Sequence, residues 1–295
     1  MENIHFTGPV WRPPYEANSV LLQATVGCSH DKCKFCSLYP NIKFRVSPIA
    51  EVESDLKLIQ RYQPKARRVF LTGANPFVLS HNKLIDLGLL IRRYLPHCEN
   101  IGTFARITDI KSKSIEELKE LCQLGFNGLS VGTESGDDDT LSFMNKGNTV
   151  TDIYEQCKKL EEAGIEYYIV YLAGLAGIGN GERNAFASAK LYSQLTPTII
   201  SVAFLTIFPE SELYLEVENG TYKVSSEKER LEELKIFVAN LSNKTTFFAN
   251  TISNPILLSG IFPKDKNSLV NKIQLMLDNT NELELQRYRK SITSL

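Results

Sequence analysis

An α/β fold, a partial (β/α)6 barrel of the TIM type with a C-terminal helical extension, is what the chain predicts. Short apolar runs rich in Val, Ile, Phe, Tyr and Thr alternate with longer amphipathic segments about six times. Strand–helix–strand alternation implies parallel strands joined by right-handed crossovers. Beyond about Phe208 the alternation stops and the composition turns polar. The 295 residues accommodate such a barrel, which as one domain takes roughly 200–250 residues.

Strands are expected at Val20–Val26, Arg68–Thr72, Asn100–Phe104, Gly128–Thr133, Tyr167–Leu172 and Ile199–Leu205. Helices are expected at Glu51–Tyr62, Asn82–Tyr94, Ser114–Leu124, Thr151–Ala163 and Glu182–Leu195. In the third helix Ile115, Leu118, Leu121 and Cys122 form one face, and Ser114 with Glu117 makes a capping box. Gly125 and Gly164 follow helices, where a left-handed terminator belongs. Trp11-Arg12-Pro13-Pro14-Tyr15-Glu16 precedes the first strand and reads as a plug of the barrel floor. Of Tyr167, Tyr168 and Tyr171, two should pack beneath helices. The extension should carry a helix at Glu227–Leu241, an irregular stretch at Thr245–Pro263, a helix at Ser268–Leu277 and a mobile polar end from Asn279. The organisation is thus an N-terminal segment (1–17), a barrel (18–210) and an extension (211–295).

Thirty-three basic and 34 acidic residues leave a net charge of -1, which gives no nucleic-acid signal. No apolar run approaches the ~20 residues needed to cross a bilayer, and the N-terminus lacks the apolar stretch of a signal peptide. A cytoplasmic location is expected, where six cysteines are free, metal-bound or catalytic rather than a disulfide framework.

Three of the six lie within nine residues, at Cys28, Cys33 and Cys36, directly after the first strand. In a β/α barrel that loop is on the catalytic face. Three thiolates can hold three irons of a cubane cluster and leave one iron open. A Cys3His zinc site using His30 is a second chemistry for the same loop, in a barrel without catalysis. A dithiol oxidoreductase using Cys33 and Cys36 is a third. Cys98, Cys122 and Cys157 fall at helical or post-helical positions and are expected to pack.

With Phe35 just before its last cysteine, the loop resembles the cluster motif of radical S-adenosylmethionine (SAM) enzymes, near the Elp3-like and oxygen-independent coproporphyrinogen oxidase-like members. Here four residues, not the commoner three, separate the first two cysteines. The resemblance covers residues 18–210 and, more loosely, Ala249–Lys266. It implies a [4Fe–4S] cluster on Cys28, Cys33 and Cys36 and reductive cleavage of S-adenosyl-L-methionine to a 5′-deoxyadenosyl radical, which takes hydrogen from a substrate. The turn Gly73-Ala74-Asn75 would take the methionyl amine, and Glu134 with Ser135 the ribose. Gly174, opening Gly174-Leu175-Ala176-Gly177, would lie on the adenine. Arg106, Lys146 and Arg183 are candidates for the carboxylate. A flavodoxin or ferredoxin reductant and a small-molecule substrate are the implied partners. The residues leave the substrate and the catalytic groups undefined.

Overall fold

The computed structural model describes residues 4–294. The first three residues of the expected N-terminal segment, and the last of the extension, lie outside the described residues. In chain order the elements are β1 (Val20–Gln23), β2 (Thr25–Val26), β3 (Arg45–Val46), α1 (Ile49–Tyr62), β4 (Arg68–Thr72), α2 (His81–Tyr94), β5 (Asn100–Ala105), α3 (Ile107–Lys111) and α4 (Ile115–Gln123). They continue with β6 (Phe126–Glu134), α5 (Asp138–Phe143), α6 (Val150–Ala163), β7 (Tyr167–Ala173), α7 (Gly181–Tyr192), β8 (Ile199–Phe204) and α8 (Glu212–Glu218). Last come α9 (Glu227–Asn240), β9 (Thr245–Ala249), β10 (Leu258–Phe262), α10 (Lys266–Asn279) and α11 (Glu282–Ser291). The chain divides into two units. The first is the chain up to Asp31 with Leu38–Gly132 and Glu155–Tyr167; the second is Lys32–Ser37, Thr133–Tyr154 and the chain from Tyr168 onward.

In the first unit β1, β4, β5 and β6 run parallel in that spatial order. Their apolar residues are buried on both faces, as parallel strands beneath helices require. The expected strand Val20–Val26 is broken. β1 pairs with β4, but Thr25 and Val26 turn away to pair antiparallel with Val46 and Arg45. The N-terminal plug is present. Tyr15 Oη lies 2.6 Å from Ser130 Oγ, and the buried Glu16 accepts from Arg68 Nε at 2.8 Å. Arg68 opens β4 and donates to Gly128 O near the start of β6 at 3.4 Å, so the plug lies at the strands' amino ends. The capping box closes: Glu117 N donates to Ser114 Oγ (3.1 Å) and Ser114 N to Glu117 Oε2 (2.7 Å). Gly125 at φ +102° is the left-handed stop, and a Cβ there would lie 2.8 Å from Glu99 O.

In the second unit β7 and β8 are parallel, β9 adds to β8 in parallel, and β10 closes antiparallel on β9. The stretch expected to be irregular, Thr245–Pro263, is therefore mostly two paired strands. Phe247 stacks on Phe262 at 5.3 Å between ring centres, a cross-strand contact that local pattern does not reveal. The end expected to be mobile instead forms α11. Glu282 accepts from the helix-terminal amides of Glu227 and Lys228 at the start of α9, at 2.9 and 3.0 Å. Arg289 forks onto Glu227 at 3.0 and 2.8 Å. Buried Tyr171 stacks on Phe237 at 4.1 Å with Tyr192 edge-on.

Buried Tyr167 donates to Glu161 of α6 (2.7 Å) in the first unit, and Tyr171 packs on α9 in the second, so two of the three tyrosines lie beneath helices as expected. The fold class is α/β with an incompletely closed sheet core and helical C-terminal content. Among the described residues no helix is long and apolar enough to cross a membrane.

Candidate functional site

In the first unit the chain leaves β2 through Gly27 (φ +72°), where a Cβ would lie 2.7 Å from Ile42 O, and delivers Cys28 half-buried. The next residue is fastened to the turn after β4. Ser29 N donates to Asn75 Oδ1 (3.2 Å), and Asn75 Nδ2 donates to Ser29 Oγ (2.7 Å) and to Asp109 Oδ2 (3.0 Å). Asn75, expected as a cofactor contact, is buried, and its side-chain amide is taken up by protein. Gly73 stands at φ +118°, and a Cβ would fall 2.5 Å from Thr25 O, so only glycine lets the turn lie this close to β2. Ala74 beside it is half-buried. Half-buried Arg106 opens α3, its backbone N donating to Asp109 Oδ2 at 2.9 Å. Behind these lies Lys113, buried, its ammonium on Phe77 O (2.7 Å) and Asp109 O (3.1 Å). Burial raises the Asp109 carboxyl and lowers the Lys113 amine to about 8.

In the second unit Cys33 and Cys36 share a turn, Cys36 N donating to Cys33 O at 3.0 Å. Lys34 anchors it three ways. Its N–H donates to Met144 O (3.1 Å), its C=O accepts from Leu213 N of α8 (2.6 Å), and its ammonium pairs with Glu216, holding that carboxyl below the ordinary range. Phe35 packs on the buried cluster of Met144, Leu175, Leu205, Leu213 and Tyr222, and Lys146 Nζ lies 5.8 Å from its ring centre. Lys146, buried, donates to Glu134 Oε1 at 3.0 Å. Glu134 holds a left-handed φ of +65°, with Ser135 N bonded back to Thr133 O at 2.8 Å. Such strain in a charged residue costs about 1–3 kcal/mol and concentrates at ligand sites. Ser135 is fully buried; its hydroxyl donates to Asn184 Oδ1 (2.5 Å) and accepts from Asp137 N (3.0 Å).

Arg183 is half exposed and paired with Asp137 (3.2 Å) and Asp139. It lines a cleft of about 420 Å³ together with Leu175, Ala176, Phe143, Tyr222 and Lys223. Gly174, at φ +86°, opens the turn on one wall of that cleft. Its N–H donates to Glu233 Oε2 (2.9 Å) and its C=O accepts from Tyr222 Oη (2.8 Å). Glu233 and Lys113 were missed by sequence reasoning. Glu233 did leave a signal: it stands four residues before Phe237, on the apolar face of its helix.

Three cysteine thiols are, by their chemistry, the donor type an iron–sulfur cluster takes. Cys28 and Cys33 are half-buried and Cys36 exposed, within reach of a ligand. Cys98 and Cys157 are buried, which pushes their thiols up, Cys157 far up, and disfavours the thiolate that iron requires. Among the described residues no three His, Cys, Asp or Glu side chains already converge on one metal-binding point.

Comparison with known proteins identifies a family and a fold. The model of the Radical SAM superfamily matches residues 22–187. The heme chaperone HemW of Bacillus subtilis is 25% identical over 180 residues, 61% of this chain and 47% of that protein. The chain spans about half, or less, of the curated HemW relatives it matches. Among solved structures, the radical S-adenosylmethionine methyltransferase TsrM of Kitasatospora setae superposes with a TM-score of 0.56 at 18% identity, over 68% of this chain and 39% of that one. Methylornithine synthase gives 0.55 at 14% identity, over 92% and 85%. At these identities the structural likeness speaks for the fold alone.

Proposed function

The chain belongs to the radical SAM superfamily, an enzyme superfamily that uses an iron–sulfur cluster and S-adenosylmethionine, and on that premise we propose that it cleaves S-adenosylmethionine reductively with a cluster held by Cys28, Cys33 and Cys36. The observation that carries this reading is the loop itself: three cysteines within nine residues, none of them buried, whereas Cys98 and Cys157 are buried and Cys122 stands alone on a helix. When bound, a [4Fe–4S] cluster with S-adenosylmethionine supplies one-electron carbon–sulfur cleavage and a 5′-deoxyadenosyl radical able to take hydrogen from a substrate.

The chain's own residues hold and orient. Asn75 and Asp109 steady the loop behind Cys28, and Lys34 with Glu216 steadies it between Cys33 and Cys36. Glu134, held by Lys146, presents a carboxylate to ribose hydroxyls, and Phe35 covers the cluster side. Gly73 and Ala74 offer backbone carbonyls to the methionyl amine, with Arg106 and Arg183 as the remaining cations for its carboxylate. The turn from Gly174 lies against the adenine. We place the chain near the members resembling Elp3 and oxygen-independent coproporphyrinogen oxidase, which the match to HemW supports. We read 1–17 as floor, 18–210 as catalytic barrel and 211–295 as extension, with a small-molecule substrate and a flavodoxin or ferredoxin as reductant.

The test is anaerobic purification, then incubation with S-adenosylmethionine and dithionite. Brown protein with absorbance near about 400 nm that bleaches on reduction, and release of 5′-deoxyadenosine, are expected. Replacing Cys28, Cys33 or Cys36 singly by Ala should abolish both. Replacing Cys98, Cys122 and Cys157 together should leave the iron content unchanged. Colourless protein with stoichiometric zinc would sink the reading.

A further inference from the structure

We infer that Glu233 and Tyr222 are positioning residues that set the adenosyl-facing turns of the second unit; this rests on the reading of those turns given above. Both lie beyond residue 187, where the family match ends, so they belong to this chain's C-terminal part rather than to the matched core. The peptide of Gly174 is held on both sides: its N–H by Glu233 Oε2 at 2.9 Å, its C=O by Tyr222 Oη at 2.8 Å. Gly174 stands at φ +86°, and Arg230 of α9 occupies the space its Cβ would need, Nε being 2.9 Å from that position. The turn is therefore shaped against α9.

The other carboxylate oxygen extends the hold. Glu233 Oε1 accepts from Tyr171 Oη (2.6 Å) and Asn184 Nδ2 (2.8 Å). Asn184 Oδ1 in turn accepts from Ser135 Oγ, the residue after Glu134, at 2.5 Å. One buried carboxylate thus links the turn after β7, through the buried Asn184, to the buried Ser135 in the turn after β6. A glutamine in its place cannot reproduce this. With its oxygen toward Tyr171 and Asn184, its NH2 faces the Gly174 N–H, donor against donor; reversed, it faces the Asn184 NH2.

The experiment uses the full chain, reconstituted anaerobically, as wild type, Glu233→Gln and Tyr222→Phe. Amide hydrogen exchange is followed over residues 172–178, and dissociation constants are measured for S-adenosylmethionine and for L-methionine alone. Glu233→Gln should keep its iron, exchange the Gly174 amide faster and bind S-adenosylmethionine about tenfold more weakly, with methionine affinity changed by no more than about twofold. Tyr222→Phe, which removes one donor, should show the same pattern in smaller measure and serves if Glu233→Gln fails to fold. Equal losses for both ligands would overturn the inference, since that is what general loosening produces. So would unchanged S-adenosylmethionine affinity in variants of a wild type that binds it. If the wild type does not bind S-adenosylmethionine, the reading of the site falls instead, and the hold on Gly174 is decided by its exchange rate alone.

Discussion

Lys113 in one unit and Glu233 in the other are each buried behind a turn at the carboxyl end of a strand, yet they hold it by opposite chemistry. Lys113 gives protons to two backbone carbonyls, Phe77 O and Asp109 O. Glu233 accepts from a backbone amide, a phenol and a side-chain amide. Both turns leave main-chain groups that no ladder or helix satisfies, and a buried polar group must be paired. A lysine reaches carbonyls with three rotatable donors, while a carboxylate collects donors on two oxygens. Burial drives both toward neutrality, the amine down to about 8 and the carboxyl up to about 7. The difference lies in how many neighbours each would abandon.

That difference is testable by truncation. Glu233→Ala orphans chiefly two buried donors, the Gly174 N–H and the Tyr171 hydroxyl, because Asn184 Nδ2 keeps Tyr171 Oη at 3.0 Å; at about 1–3 kcal/mol each it should lower unfolding free energy by roughly 2 kcal/mol or more. Lys113→Ala orphans mainly Phe77 O, because Asp109 O keeps Ser112 Oγ at 2.7 Å, and should cost about 1–3 kcal/mol. Urea unfolding of both variants decides; a larger loss at Lys113 would break the comparison.

On the proposed reading Glu134 faces ligand rather than holding a turn, and it should behave otherwise. Glu134→Ala is expected to weaken S-adenosylmethionine binding by about 1.5–3 kcal/mol, or roughly one to two decades, beyond whatever stability is lost by taking this carboxylate from the buried Lys146 ammonium. Its side chain is partly exposed and ion-paired to Lys146 at 3.0 Å. An unchanged dissociation constant would make Glu134 another structural residue and erase the distinction.

The smallest effect is in pH. The carboxyl of Glu233 titrates higher in the folded chain than in the unfolded one. Its stabilising contribution is full below about pH 4.5 and is lost as pH rises through about 7. Lys113 runs the other way: from about pH 8 up to about 10.5 the folded chain has released a proton that the unfolded chain still holds, so its contribution grows with pH. Differences in unfolding free energy between wild type and Glu233→Gln, and between wild type and Lys113→Met, should slope with opposite sign, at no more than about 1.4 kcal/mol per pH unit. Slopes of the same sign would show that one of the two groups is not titrating as its burial requires.

Much of the scaffold was legible because its signals are local. Five of the six expected strands and all five helices are found with ends moved by a few residues, since apolar period and capping act within a turn or two of chain, while Val20–Val26 is split between two sheets. The Cys28, Cys33 and Cys36 loop was legible from spacing, and Gly73 and Gly174 from their places after strands; both hold positive φ. The partners were not. Nothing local ties Asn75 to Ser29, 46 residues away, or Gly174 to Glu233, 59 away. The strands Thr245–Ala249 and Leu258–Phe262 were hidden because a strand's stability lies in its neighbour, and the polar α11 because it is held by Glu282 and Arg289 on α9 rather than by an apolar stripe of its own.

By itself, then, the sequence determined the α/β alternation, the helix stops and the three-thiol loop, for these depend on interactions within about ten residues. Tertiary structure alone decided which charge each turn is set against. It placed Lys146 on Glu134, Lys113 under Phe77 and Glu233 against Gly174. The reason is that a buried donor or acceptor takes whatever partner folding brings within about 3 Å, and that choice is made between segments far apart in the chain.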